Sequence, residues 1–185
     1  MKKTVNDIFI PKIAGKKTVL RLIKKMDLKK SLMWLKDTSV NMYLSHNFRD
    51  YTEEQELKWF DFINKSNNDI VFAIEDKNNN LYIGNCALHK IQWDKKTCEL
   101  GIFIGEKDYW NKGYGSDAVK SISKFAFNRL NLKKIVLDVY RYNRRAIKVY
   151  KKCGFMLTKI ERKNHFYDGK YWDTLLMELR KSRTG

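Results

Sequence analysis

Between Trp110 and Ser116 the chain reads Trp-Asn-Lys-Gly-Tyr-Gly-Ser, and the helical pattern that begins there makes this segment a turn running into a helix N-terminus. Glycines at 113 and 115 let backbone N–H groups converge on a phosphate; the helix dipole favours an anion at that end, and Lys112 adds a positive charge. Extended to Ala118, the segment also satisfies G-x-G-x-x-A with Asp138 twenty residues beyond, the spacing of a dinucleotide-binding fingerprint. Its context opposes that reading. The preceding strand ends near Ile104, so the glycines do not follow it directly, and too little chain remains after Asp138 to complete a doubly wound sheet. Taken alone, Gly-x-Gly before a helix is also what a simple tight turn looks like.

The elements that must hold this turn follow from periodicity. Thr18–Ile23 reads as a strand, and Asp27 is placed to cap an amphipathic helix carrying Leu28, Leu32, Met33 and Leu35. Thr52-Glu-Glu-Gln55 is a capping-box pattern ahead of a second helix with Leu57, Phe60 and Ile63 on one face. Ile70–Ile74, a run from Leu81, and Thr97–Ile104 are strands separated by polar turns, an antiparallel meander. Gly115–Leu130 then repeats apolar residues at helical spacing before the run Ile135–Val139, so strand, helix and strand form a parallel crossover. A helix from Asn143 to Cys153 ends at Gly154, and two last strands flank the hairpin turn Asp168-Gly169.

That last helix carries the second half of the argument: Asn143-Arg-Arg-Ala-Ile-Lys-Val-Tyr150-Lys-Lys-Cys-Gly154-Phe155. With the turn at 110–116 it resembles the GNAT acetyltransferase superfamily, whose patterns are Q/R-x-x-G-x-G/A and N-x-x-[SA]-x-x-[LV]-Y-x-x-x-G-F. The second pattern is met at every specified position. The first departs at its leading residue, Trp110, and aromatic-Trp-x-x-Gly-Tyr is similar to the branch of ribosomal-protein N-terminal and spermidine acetyltransferases. The resemblance spans about Thr18 to Lys181, leaving residues 1–17 as a tail and 18–181 as one domain. It implies an α/β (α+β) fold with a mixed, mostly antiparallel sheet of about seven strands flanked by helices.

The resemblance further implies acetyl-CoA as cosubstrate, its pyrophosphate on the N–H groups of Asn111, Lys112, Gly113, Tyr114, Gly115 and Ser116. Its pantetheine arm is expected in a gap between the diverging strands of Phe103-Ile104 and Leu137-Asp138. There the exposed backbone pairs with amides as a sheet edge does with a peptide, and an N–H near Phe103 or Ile104 polarises the thioester carbonyl. Asn143 is expected to hold the arm from the other strand. Acetyl transfer to an amine needs a neutral nucleophile and a proton for the departing thiolate. Tyr150 is the acid the family implies, and a phenol with an ordinary pKa of about 10 stays protonated at neutral pH. Two carboxylates compete as base: Asp138, which interrupts a buried run where burial would raise its pKa, and Glu99, on the face of Gly101, whose missing side chain leaves room for an acceptor. Either also reads as a structural acid.

The charge of +17, from 38 Lys+Arg against 21 Asp+Glu, favours an anionic partner or reflects a lysine-rich composition. The alternative to an enzyme is a binding module, one that senses acetyl-CoA or a basic one for nucleic acid; no nucleic-acid-binding signature is present. The expected acceptor is a small-molecule or peptide amine: a protein N-terminus, an amino sugar or another small amine. Net positive charge counts against a polycation unless acids line the pocket. No run is apolar enough for a membrane span or a signal core. Cys86, Cys98 and Cys153 lack disulfide or zinc spacing, so no metal and a reducing cytoplasm are expected, with self-association open. His46, His89 and His165 read as surface histidines, and Trp34, Tyr43, Phe48, Trp59 and Trp93 as core aromatics rather than a pocket lining.

Overall fold

The computed structural model describes residues 4, 5, 8–44, 48 and 50–182. His46 lies outside them.

Eight strands form one sheet: β1 (Ile13–Ala14), β2 (Thr18–Leu22), β3 (Ile70–Asp76), β4 (Tyr82–Gln92), β5 (Thr97–Ile104), β6 (Lys134–Tyr140), β7 (Met156–Tyr167) and β8 (Lys170–Arg180). Their spatial order is β1-β2-β3-β4-β5-β6-β8-β7, and only the β5–β6 pair is parallel. The extra strand over the expected seven comes from the segment read as a tail, where Ile13 and Ala14 pair with Leu20 and Val19. Two residues are too few for a periodic signal. The helices are α1 (Leu28–Lys36), α2 (Thr38–Asn41), α3 (Glu53–Lys65), α4 (Tyr114–Asn128) and α5 (Arg144–Lys152).

Alternation along the strands divides the interior into two layers. Phe72 and Ile74 of β3, with Cys86 and Leu88 of β4 and Leu100 of β5, meet Ala118, Val119, Ile122 and Phe125 of α4. Val71 and Ala87 face the other way, against Leu28 of α1 and Ile63 of α3, with Trp34, Ala73 and Tyr82 beside them. Being buried on both faces makes β3 read as an unbroken apolar run.

The capping box at α3 is present: Thr52 N–H donates to Gln55 Oε1 at 2.8 Å, and Gln55 N–H to Thr52 Oγ1 at 3.2 Å. The Asp27 cap is not. Its carboxylate is taken by the Arg21 guanidinium at 2.6 and 2.8 Å and by Lys24 N–H, while Arg21 Nε reaches Glu75. A buried charge needs its counter-charge more than a helix end needs a cap, and the two carboxylates hold Arg21 above its ordinary pKa. At the β7–β8 hairpin Asp168 and Gly169 both take positive φ, 51° and 73°, as a two-residue turn requires.

Candidate active site

The site exists because β5 and β6 stop pairing. Their parallel register runs through Thr97–Lys134, Cys98–Ile135 and Glu99–Val136 and no further. β5 continues to Ile104 on β4, and β6 to Tyr140 on β8. Beyond Glu99 the two strands splay, and a cleft of about 550 Å³ opens between them, reaching from the start of α4 to the bend in β7.

Gly105 N–H donates to Ile83 O at 2.8 Å. The two-residue alternation of an antiparallel ladder then turns Phe103 N–H toward β4, and Ile102 and Ile104 N–H into the gap. Of the two residues expected to offer a free N–H, the backbone geometry therefore selects Ile104.

At one end of the cleft α4 begins without a side-chain cap, Gly113 standing as N-cap at φ 89°. Asp117 N–H closes onto Gly113 O, which leaves the N–H groups of Tyr114, Gly115 and Ser116 at the helix start. A Cβ on Gly115 would touch only Ile104 Cγ1, at 3.9 Å, so the space above it belongs to the cleft. Asn111, Gly113, Gly115 and Ser116 line the cleft; the side chains of Lys112 and Tyr114 do not. Tyr114 packs edge-on to Tyr109, and the Lys112 carbonyl accepts from Lys17 Nζ at 2.9 Å. The cation at this end is instead Arg145, 3.9 Å above the ring of Trp110, whose indole N–H donates to Ile104 O at 2.7 Å. Lys152 joins it. The donor set fits an extended phosphate ester: a helix N-terminus, two cations and a sheet edge.

Tyr150, on α5, is buried and lines the cleft. Among the described residues its hydroxyl has no hydrogen-bond partner, and burial pushes its pKa above the ordinary tyrosine value, so it remains a proton donor. Asn143 also lines the cleft, but its Oδ1 caps α5 by accepting from Ala146 N–H at 3.1 Å, leaving the amide nitrogen for any other contact.

The far end is acidic. Glu99, Asp138 and Glu161 all line it. Asp138 is not buried within its run: Leu137 and Val139 face the core, and the carboxylate opens into the cleft. Its pKa is still raised, first by desolvation and then by Glu99 and Glu161, with Lys90 opposing. Glu99 is ion-paired to Lys90 at 2.8 Å, where a bulge in β4 gives Lys90 a φ of 48°. Sequence reading missed the rest of this wall. A second register shift, in β7 between Glu161 and His165, turns Glu161, Asn164 and His165 inward. His165 is no surface histidine: it stacks on Tyr140 at 3.7 Å, and burial lowers its pKa. Tyr43 reaches the cleft from beyond α2, while Trp34 is core as expected.

The acetyltransferase (GNAT) domain family matches residues 17–156, and the chain belongs to that family. Spermidine N(1)-acetyltransferase of Vibrio cholerae is 27% identical over 150 residues, 77% of this chain and 86% of the relative. The SPbeta prophage-derived N-acetyltransferase YokL of Bacillus subtilis is 30% identical over 139 residues, 74% and 71% of the two chains. In structure, spermidine N-acetyltransferase from Vibrio cholerae, crystallised with CoA and spermine, superposes with a TM-score of 0.82 at 23% identity, over 90% of this chain and 96% of that one. The protein is an acetyl-CoA-dependent N-acetyltransferase that moves an acetyl group to an amine. No helix among the described residues is long and apolar enough to cross a membrane.

Proposed function

We propose that the acceptor is a small, multiply charged amine of the spermidine kind, acetylated by direct attack on the thioester in the splayed cleft. The observation that carries this reading is the polarity of the cleft. Arg145, Lys152 and the α4 N-terminus stand at one end, and Glu99, Asp138 and Glu161 at the other, and Tyr150 lines the same cleft. A net charge of +17 argues against a polycation only from a distance. At contact range local carboxylates dominate, because screening shortens the reach of remote charge to about 8–10 Å. Tyr140 and His165 add ring faces beside the carboxylates, and aromatic faces attract alkylammonium groups.

In this reading the start of α4 and Arg145 hold the cosubstrate phosphates, and the N–H groups of Ile102 and Ile104 align the arm and its carbonyl. The free amide nitrogen of Asn143 steadies that arm, and Tyr150 protonates the departing thiolate. Asp138, unpaired where Glu99 is held by Lys90, is the carboxylate that meets the acceptor's ammonium group. Bound acetyl-CoA supplies the acyl group. Three free cysteines agree with a cytoplasmic location. Exposed Met156, Leu157 and Phe166 on edge strand β7 support self-association, and a Vibrio cholerae relative is described as dodecameric.

The test is a thiol-release screen with acetyl-CoA across spermidine, ribosomal-protein N-terminal peptides, aminoglycosides and amino-sugar nucleotides. Spermidine is expected to turn over with the highest kcat/KM. Preference for a neutral or anionic acceptor would sink the assignment.

A further inference from the structure

An amine that arrives as an ammonium ion must lose a proton before it can attack, and carboxylates that attract the cation are weak bases toward it. A better proton acceptor stands one strand away. His89 of β4 faces Glu99 across the β4–β5 ladder, and its Cδ2 and Nε2 lie 3.5 and 3.6 Å from where a Cβ on Gly101 would be. Gly101 lines the cleft and His89 does not, so the imidazole edge stands behind the face that the missing side chain leaves open. The ring is held from behind. Nδ1 is 2.8 Å from Asp69 Oδ1, and Asp69 is itself fixed by Ser66 Oγ at 2.6 Å and by Lys90 N–H at 3.3 Å. A carboxylate can only accept from a neutral imidazole, so it places the ring proton on Nδ1 and leaves the Nε2 lone pair toward Gly101.

We infer that His89, oriented by Asp69, is the proton acceptor of the transfer, reached through one water across the open face of Gly101; the inference rests on the acetyl-transfer reading of the cleft. The balance is simple. His89 Nε2 takes one proton from the ammonium group, giving the neutral amine and an imidazolium stabilised by Asp69. The C–N bond forms, the C–S bond breaks, the sulfur gains the Tyr150 proton, and the second amine proton restores Tyr150. Imidazolium returns its proton to solvent, to which the side chain is 34% exposed. The charged groups around the ring are Asp69 ahead of β3, Lys90 on its own strand, Glu99 on β5, and Asp138 on β6, which acts through Lys90. Asp138 and Glu99 hold the cation in place. Nothing in the sequence pointed here, because Asp69 and His89 meet only once β3 and β4 pair.

Two measurements test this. With spermidine as acceptor, the pH profile of kcat/KM should show an acidic limb that His89→Gln removes, with kcat/KM at neutral pH lowered by about 100-fold. Asp69→Asn should move the limb to lower pH, since the imidazolium loses its counter-charge. Acetyl-CoA affinity, by calorimetry, should be unchanged in both. If the limb survives in His89→Gln and vanishes in Asp138→Asn, the carboxylate is the base and the inference is overturned while acetyl transfer stands. Independently of turnover, nitrogen-15 NMR of the whole protein above the imidazole pKa should find the His89 proton on Nδ1. A proton on Nε2 overturns the inference even in an active enzyme. A folded, acetyl-CoA-binding protein with the Nδ1 tautomer that acetylates no amine would instead defeat the reading of the cleft.

Discussion

Arg145 lies over Trp110, its guanidinium carbon 3.9 Å from the ring centroid. The stack accounts for the one departure from the family's loop pattern, the aromatic residue where Gln or Arg is usual. Trp110 does not supply a cation but presents one from α5, and its indole N–H anchors the platform to the end of β5. Replacing Arg145 by Lys keeps the charge and loses the planar stack. Acetyl-CoA affinity, measured by calorimetry, should fall about 5- to 30-fold, the loss expected for a partly desolvated cation–π contact of about 1–2 kcal/mol. Unchanged affinity would remove Arg145 from the cosubstrate site.

Gly115 separates the cosubstrate from the fold. Its added Cβ would make only an ordinary contact with Ile104, and its φ is not in the left-handed region, so Gly115→Val should fold with its Tm nearly unaltered. Acetyl-CoA binding should nonetheless weaken by at least tenfold, because the new side chain occupies the space in front of the helix N–H groups. Gly113→Val is the less clean variant, since φ 89° strains any other residue. NAD should not compete for the site: the mostly antiparallel sheet, and the 3-10 turn Lys107–Tyr109 between β5 and Gly113, argue against the dinucleotide fingerprint.

Tyr150→Phe keeps the ring and its packing on Phe155 while deleting the donor to the thiolate. kcat should fall by about two to four orders of magnitude, with acetyl-CoA affinity little changed. Wild-type kcat in the folded variant would place the acid elsewhere.

What the sequence made legible was the part encoded in contiguous stretches. The loop at 110–116, the helix from Asn143 to Phe155 and the meander with its crossover are each set by local period and turn chemistry. Asn111, Gly113, Gly115 and Ser116 of the loop and Asn143 and Tyr150 of the helix line one cleft with Glu99, Phe103, Ile104 and Asp138, while the side chains of Lys112 and Tyr114, which the turn directs elsewhere, do not. The acidic wall beyond Glu99 and Asp138 was illegible for a physical reason. Lys90, Glu161, Asn164 and His165 owe their directions to register shifts in β4 and β7, and a bulge moves a side chain across the sheet without marking the sequence. Asp117 was missed likewise. It accepts from the N–H groups of Lys16, Lys17 and Thr18 at 2.9–3.0 Å and from the Thr18 hydroxyl at 2.8 Å, tying the β1–β2 turn to the first turns of α4. Only folding brings those residues together.

The Asp117 clamp has a pH signature. Its hydrogen bonds hold the carboxylate below its ordinary pKa, against the opposing pull of desolvation. A group depressed in the folded state contributes stability that is present above its unfolded pKa and is lost as pH falls through the folded value. Asp117→Asn should therefore cost most at neutral pH and progressively less on acidification, read by urea denaturation at each pH. A cost independent of pH would mean that the carboxylate's charge is not what holds the turn.

Glu56 behaves in the opposite sense, and the contrast is the sharper test of the fold. It sits on α3 with 2% of its surface exposed, and among the described residues its Oε1 has no hydrogen-bond partner. Desolvation raises its pKa, outweighing the lowering by Ser31 and Tyr51. The folded state therefore holds the proton more tightly than the unfolded state does. Its contribution is fully present below the unfolded pKa and is lost as pH rises through the folded pKa, beyond which the fold must carry a buried charge or distort to wet it. Glu56→Gln keeps the shape and cannot ionise. It should be close to neutral at about pH 3, below the ordinary carboxylate range, and stabilising by about 1–3 kcal/mol at pH 8, on the scale of a buried polar group left unsatisfied. The measurement is the difference in unfolding free energy between variant and wild type across that range. A difference that stays flat, or that turns against the variant as pH rises, would mean that Glu56 is ionised in the fold and has a counter-charge.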